Sequence, residues 1–318
     1  MPDPIQMAQA TGLAFAASAV LLGIFTWWGR RRATGPAWID AGWVLGIGAG
    51  FYLGCWLLGV RPHWPPGEDM DRLLEIVVPA ALGIELLAAF PRIPRWLIWT
   101  LRLVIAGCLA RVLLHGSIYL SDSTGPGTLA WPPATAWLIL RLLEAALATS
   151  WVLLVLLAQR STATSTVVCL AITIGGSAIA IMLSAYATGG QAGLPLAAAL
   201  LGASAVAMMA PGPARSTAPI GVAIVGLSSL LVIGRFFGEL RTDHAVLLFI
   251  APLLAWIPEL PRLRRMPPWA RGLTRVLLVS ALVFGVLADA GRRFAAGSGP
   301  SAPGSEDPSS QYYEDLGR

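Results

Sequence analysis

The sequence predicts an all-α, polytopic transmembrane bundle of about ten spans, and three observations carry that prediction. Apolar residues make up 56% of the 318-residue chain and charged residues only 12%, about half the charged share of an ordinary soluble protein. The mean hydropathy is +0.70, a surplus of apolar side chains that a water-soluble surface has nowhere to hide. Apolar runs long enough to cross roughly 30 Å of hydrocarbon recur along nearly the whole chain, too many and too long for buried core helices.

The runs fall in order at 8–29, 38–60, 73–90, 96–120, 135–158, 166–187, 194–210, 219–238, 244–260 and 270–290. The first is followed, not preceded, by Arg30, Arg31 and Arg32, and Asp3 leads it, so it reads as a retained span and not as a signal peptide. Pro62, Pro65, Pro66 and Gly67 close the second run, and Pro91 with Pro94 divides the third from the fourth. Pro126, Gly127, Pro132 and Pro133 introduce the fifth. Only Thr188 to Gly193 separates the sixth from the seventh, whereas Pro211 and Pro213 clearly end the seventh. Pro258, Pro261, Pro267 and Pro268 mark the turn before the tenth. Residues 1–290 thus form the helical domain. Residues 291–318, rich in Ala, Gly, Ser, Pro and acid, read as a disordered external tail.

Arginine supplies the whole basic side of a net charge of +5, with no lysine. The turns at one end of the bundle collect Arg30, Arg31, Arg32, Arg92, Arg95, Arg160, Arg215, Arg262, Arg264, Arg265 and Arg271. The other end receives Arg61, Arg72, Arg241, Arg292, Arg293 and Arg318, a division of 11 against 6. The positive-inside bias then places both termini outside the cytoplasm, in a multi-pass protein of the bacterial inner membrane. Because these arginines sit at helix ends, without a basic domain or aromatic-interleaved stripe, nucleic acid is excluded as a partner.

A shift of 173 residues lays Arg92 on Arg265, Pro94 on Pro267, Trp96 on Trp269 and Arg102 on Arg275. This is the pattern of a weak parallel internal repeat, six spans apart. The second run carries Gly42, Gly46, Gly50 and Gly54, a small-residue groove suited to close helix packing.

Ionisable residues inside the membrane are costly and normally face the bundle interior or an aqueous cavity. Glu85, Arg102, Arg111, Arg141 and Glu144 fall in this class, with Glu75 and His115 nearer the outer boundary. The short turn between the third and fourth runs puts Glu85 about 7–8 Å and Arg102 about 9 Å from the same membrane face, so they can pair. Counting from the opposite face puts Arg111 at about 13 Å and Glu144 at about 13–15 Å. The expectation is two layers, Glu85–Arg102 and Arg111–Glu144, with Arg141 and His115 beside the second.

Cys55, Cys108 and Cys169 lie inside apolar runs without metal-ligand spacing, and no HExxH motif or nucleophile elbow occurs. No motif implies a cofactor, and no catalytic residue stands out. Three function classes stay open. The first is a transporter or channel-like permease for a small solute or ion, working by alternating access through the embedded Glu/Arg pairs. The others are a non-catalytic assembly subunit bound to other membrane subunits, and an intramembrane enzyme. The lipid bilayer is a partner in every case.

Overall fold

The computed structural model describes residues 3–31, 37–120, 131–160, 163–209, 216–263 and 265–297. Arg32, Asp122, Arg215, Arg264 and the tail from residue 298 lie outside the described residues. Ten helical rods follow one another: α1 (Pro4–Arg31), α2 (Ala37–Leu57), α3 (Asp69–Arg72 through Val78–Ala88), α4 (Arg95–Leu113) and α5 (Pro133–Arg160). The series continues with α6 (Ala163–Leu183), α7 (Ala187–Met209), α8 (Ala218–Phe236), α9 (Thr242–Glu259) and α10 (Pro268–Gly297). The bundle is all-α among the described residues, with eight to ten membrane-crossing helices. Eight rods meet the length and hydropathy expected of a span. The remaining two are α2, diluted by glycines and Asp40, and α3, which carries Asp69, Asp71, Arg72, Glu75 and Glu85.

The core centres on α8. Every residue from Ala218 to Gly234 is buried, and neighbours from α2 through α7 and α9 surround it. A helix enclosed on all sides must be apolar all round, and α8 carries no charge before Arg235. Its Ser228 and Ser229 return their hydroxyls to the carbonyls of Ile224 and Val225, both at 2.8 Å.

The four glycines of α2 seat that helix against α1. Cβ atoms built on them would meet Leu22 and Phe25 at Gly42, Ser18 at Gly46, Ala14 at Gly50 and Ala10 at Gly54. The two series, both stepping by four residues, run antiparallel to each other. From the other side Ala199 and Pro195 of α7 close on Gly50 and Gly54. At Gly50 the Ala14 carbonyl oxygen lies only 2.5 Å from where a Cβ would stand, so no larger residue fits without separating the helices.

Two rods depart from α geometry next to prolines. Pro79 lacks the N–H that would reach the Glu75 carbonyl, and immediately before it the turn Leu73–Val77 widens into a π-helix. There Val78 donates to the Leu73 carbonyl, and the Tyr52 hydroxyl donates to the Leu74 carbonyl at 2.6 Å. In α9 the stretch Ala251–Glu259 is 3₁₀-helical and contains Pro252 and Pro258.

Helix α4 stops at Leu113, short of the expected end near residue 120. Arg72 donates from α3 to the carbonyls of Leu113, at 3.4 Å, and His115. Gly116 follows with a φ of +70°, a conformation open to glycine and typical just past a helix end. The chain then turns inward, where the rings of Tyr119 and Trp131 lie 5.0 Å apart and both meet Phe236 edge-on, at centroid distances of 5.6 and 5.3 Å. At the other extreme, α10 stays helical to Gly297, past residue 291 where the tail was expected to begin.

Candidate functional site

Glu85 and Arg102 face each other across the α3–α4 hairpin. Arg102 donates Nε to Oε1 at 2.9 Å and Nη2 to Oε2 at 2.7 Å, a two-point fork on a carboxylate with no solvent exposure. The guanidinium lies 5.0 Å from the Trp99 ring centroid and 5.6 Å from that of Trp151 on α5, within cation–π range of both. Gly221 of α8 makes room for the carboxylate, since a Cβ there would overlap the Glu85 carboxyl group. The pair therefore ties α3, α4 and α5 to the central helix.

A second such pair occupies the corresponding place in the α9–α10 hairpin. Arg275, 1% exposed, donates Nη2 to Glu259. Its Nη1 donates to Ser165 Oγ of α6 at 2.8 Å and its Nε to the Ala255 carbonyl at 3.1 Å. That carbonyl needs a donor for a local reason. In a 3₁₀ turn it would accept from residue 258, and Pro258 has no N–H. Arg271 adds a longer contact to Glu259 at 3.5 Å. Arg102 and Arg275 are the residues brought into register by the 173-residue shift. Glu259 stands one position away from the counterpart of Glu85, within the 3₁₀ stretch where the helical phase changes.

Arg111, His115, Arg141 and Glu144 are arranged otherwise. Arg141 Nη1 meets Glu144 Oε2 at 2.6 Å on the same helix, with 58% and 30% of their side chains exposed. Gly107, not Arg111, stands opposite Glu144, as a Cβ there would lie 2.9 Å from Glu144 Oε1. Because α4 ends at Leu113, Arg111 sits in its last turn, exposed, and so does not reach the depth expected of it. It forms no ion pair among the described residues, and His115 is exposed in the turn beyond.

At the end of the bundle away from the two hairpins lies a cleft of about 470 Å³. Glu239, Arg241, His244 and Arg293 contribute its polar lining, and Ala185 and Phe294 part of its apolar wall. His244 is 5% exposed, and its Nε2 lies 2.9 Å from Asp289 Oδ2, which also accepts from Arg293 Nε at 2.8 Å. Beside the cleft Arg241 forms a fork with Asp243 at 2.9 and 2.7 Å. The sequence reading pairs neither His244 with Asp289 nor Glu259 with Arg275. Only Arg275 had a signal, from the repeat.

Fold and site define a polytopic helical membrane protein with buried Arg/Glu and His/Asp pairs, an architecture consistent with transport. No protein-family model matches the chain, and no curated protein matches it in sequence.

Proposed function

We propose that the protein is a transporter or channel-like permease for a small solute or ion, held here with two hairpins locked at one end and a charged cleft open beside α9 and α10 at the other. The observation that carries this reading is the contrast between the ends. Two hairpins are locked by buried arginine–glutamate pairs at one end, while a charged cleft stands open at the other. In alternating access, opening the locked end requires each hairpin to move against α8 or α6, with its charge pair released into water as the cleft closes. Releasing a buried fork is tolerable when water reaches both charges together, because the desolvation penalty is recovered as the attraction is lost. The two charge pairs in corresponding places support a parallel repeat moving as two related units. The arginine-rich turns would face the cytoplasm of a bacterial cell, with both termini outside.

Reconstitution into liposomes tests the reading, with a panel of monovalent ions, small organic anions and amino acids. Flux of one class, altered by the pair of substitutions Arg241→Gln and Arg293→Gln, is expected. Silence toward the whole panel, together with stoichiometric co-purification of other membrane chains, would replace transport with the assembly-subunit reading. That second reading is favoured by one feature, the exposed polar flank of α4 and α5 bearing Arg111, Arg141 and Glu144. Orientation is tested separately by cysteines placed at His63 and Arg92 in a background lacking Cys55, Cys108 and Cys169. An impermeant thiol reagent should label the first in intact cells and the second only after permeabilisation.

A further inference from the structure

A second cavity, about 380 Å³, opens between the ends of α1 and α7 on the arginine-rich side. Its lining includes Arg30, Arg31 and Trp27 from α1 and Val206 and Met209 from α7. No carboxylate of a described residue forms an ion pair with Arg30 or Arg31. The Arg31 guanidinium is instead held 4.2 Å from the Trp27 ring centroid. Thr26 also lines the cavity, but its hydroxyl already donates to the Gly23 carbonyl at 2.8 Å. The charged donors described there are thus guanidinium groups.

The chemistry changes with depth. Val20, Ile24, Trp27 and Arg31 follow one another at i, i+4, i+7 and i+11, so they share one face of α1. All four are exposed. Read toward the membrane surface, that stripe is aliphatic, aliphatic, aromatic and cationic, the order of an acyl chain, its glycerol region and a phosphate. Met208 and Met209 expose flexible apolar side chains on the α7 side. Deeper in the membrane the same two helices press together, because Gly202 of α7 lies so close to Phe15 of α1 that a Cβ would overlap its backbone. Toward the arginine-rich end they leave the cavity lined from Thr26 and Val206 onward.

We propose that this cleft is a binding site for an anionic phospholipid, with Arg30 and Arg31 on its phosphate and the α1 stripe along its acyl chain. Basic pockets between transmembrane helices at a membrane surface are suited to such headgroups. The proposal stands independently of transport.

Native mass spectrometry tests it on the full chain, released from micelles holding equimolar phosphatidylglycerol and phosphatidylcholine. The parent should retain phosphatidylglycerol selectively. Arg30→Gln with Arg31→Gln should weaken that retention roughly 30-fold, while lipid-free melting stays at the parent value. Arg92→Gln with Arg95→Gln removes two exposed arginines from the same end but touches no residue of the cleft, and should retain the lipid like the parent. Equal loss in both double variants would reduce the effect to general surface charge and overturn the proposal. Equal retention of phosphatidylcholine would overturn it as well. Full displacement by millimolar inorganic phosphate would assign the cleft to a free anion instead of a lipid.

Discussion

Two arginine–glutamate pairs on adjoining helices of this protein use the same chemistry in opposite surroundings. Glu85–Arg102 is enclosed by α3, α4, α5 and α8, with side-chain exposures of 0% and 7%. Glu144–Arg141 sits on the outer flank of α5, three residues apart on a single helix. Both carboxylates face a glycine on a neighbouring helix, Gly221 for the first and Gly107 for the second. The difference is what stands behind the pair. An enclosed fork leaves neither member an alternative, so it fixes helix positions. A flank pair can reorient and fixes little. Charge pairing inside a membrane protein therefore says nothing about rigidity until the third and fourth helices around it are known.

The largest effect should come from breaking the enclosed pair. Glu85→Gln or Arg102→Gln leaves one charge without its partner, and such losses run at about 3–5 kcal/mol. Unfolding in mild detergent, followed by helix content, checks this. Combining Glu85→Gln with Arg102→Gln should recover a substantial part, since no buried charge is then orphaned. A double variant as unstable as the singles combined would show that the two side chains act separately.

The companion pair at Glu259 should respond less. Arg275 keeps Ser165 Oγ and the Ala255 carbonyl when Glu259→Gln removes the charge, so we expect a loss of about 2 kcal/mol, in the range for hydrogen bonds to charged groups. Equal losses at Glu85 and Glu259 in the same detergent assay would erase the distinction. Gly221→Ala comes next. The new methyl group must displace the Glu85 carboxyl, and overpacking of this kind costs about 1–3 kcal/mol. Unchanged melting in that variant would mean that the fork shifts freely, contrary to the enclosure described above.

Much of this architecture was legible in the sequence, and the failures have physical causes. The rods could be read because prolines and arginines punctuate apolar runs. Glu85–Arg102 could be read because a short turn forces α3 and α4 to be antiparallel neighbours, which turns residue counting into depth. The same counting misplaced Arg111, since the apolar residues after Leu113 look helical while Arg72, distant in sequence, caps the helix early. Glu259 was hidden by the 3₁₀ stretch, which moves its carboxylate one position out of the repeat. His244 and Asp289 are 45 residues apart, at the far ends of the α9–α10 hairpin, and counting back from its turn crosses the 3₁₀ stretch, whose longer rise per residue shifts the depth. The glycine series of α2 was visible, but its partners, Ala10, Ala14, Ser18 and Leu22, only become a surface once α1 is known to pack there.

The smallest effects should appear on the flank, and they decide whether it is a free surface. Gly107→Ala puts a methyl group 2.9 Å from Glu144 Oε1, yet the contact is the end of a flexible, partly exposed side chain that can swing aside. Arg141→Gln removes a pairing whose members are partly exposed, and exposed pairs are typically worth no more than about 1 kcal/mol. Both variants should therefore melt close to the parent when the chain is purified alone. The informative measurement is the same pair of variants in native membranes. If α4 and α5 face only lipid, accumulation there should also match the parent. A variant that is stable in isolation but lost in the membrane would place a partner helix over Arg111, Arg141 and Glu144. The flank would then join the enclosed class, with its third and fourth helices supplied by another chain.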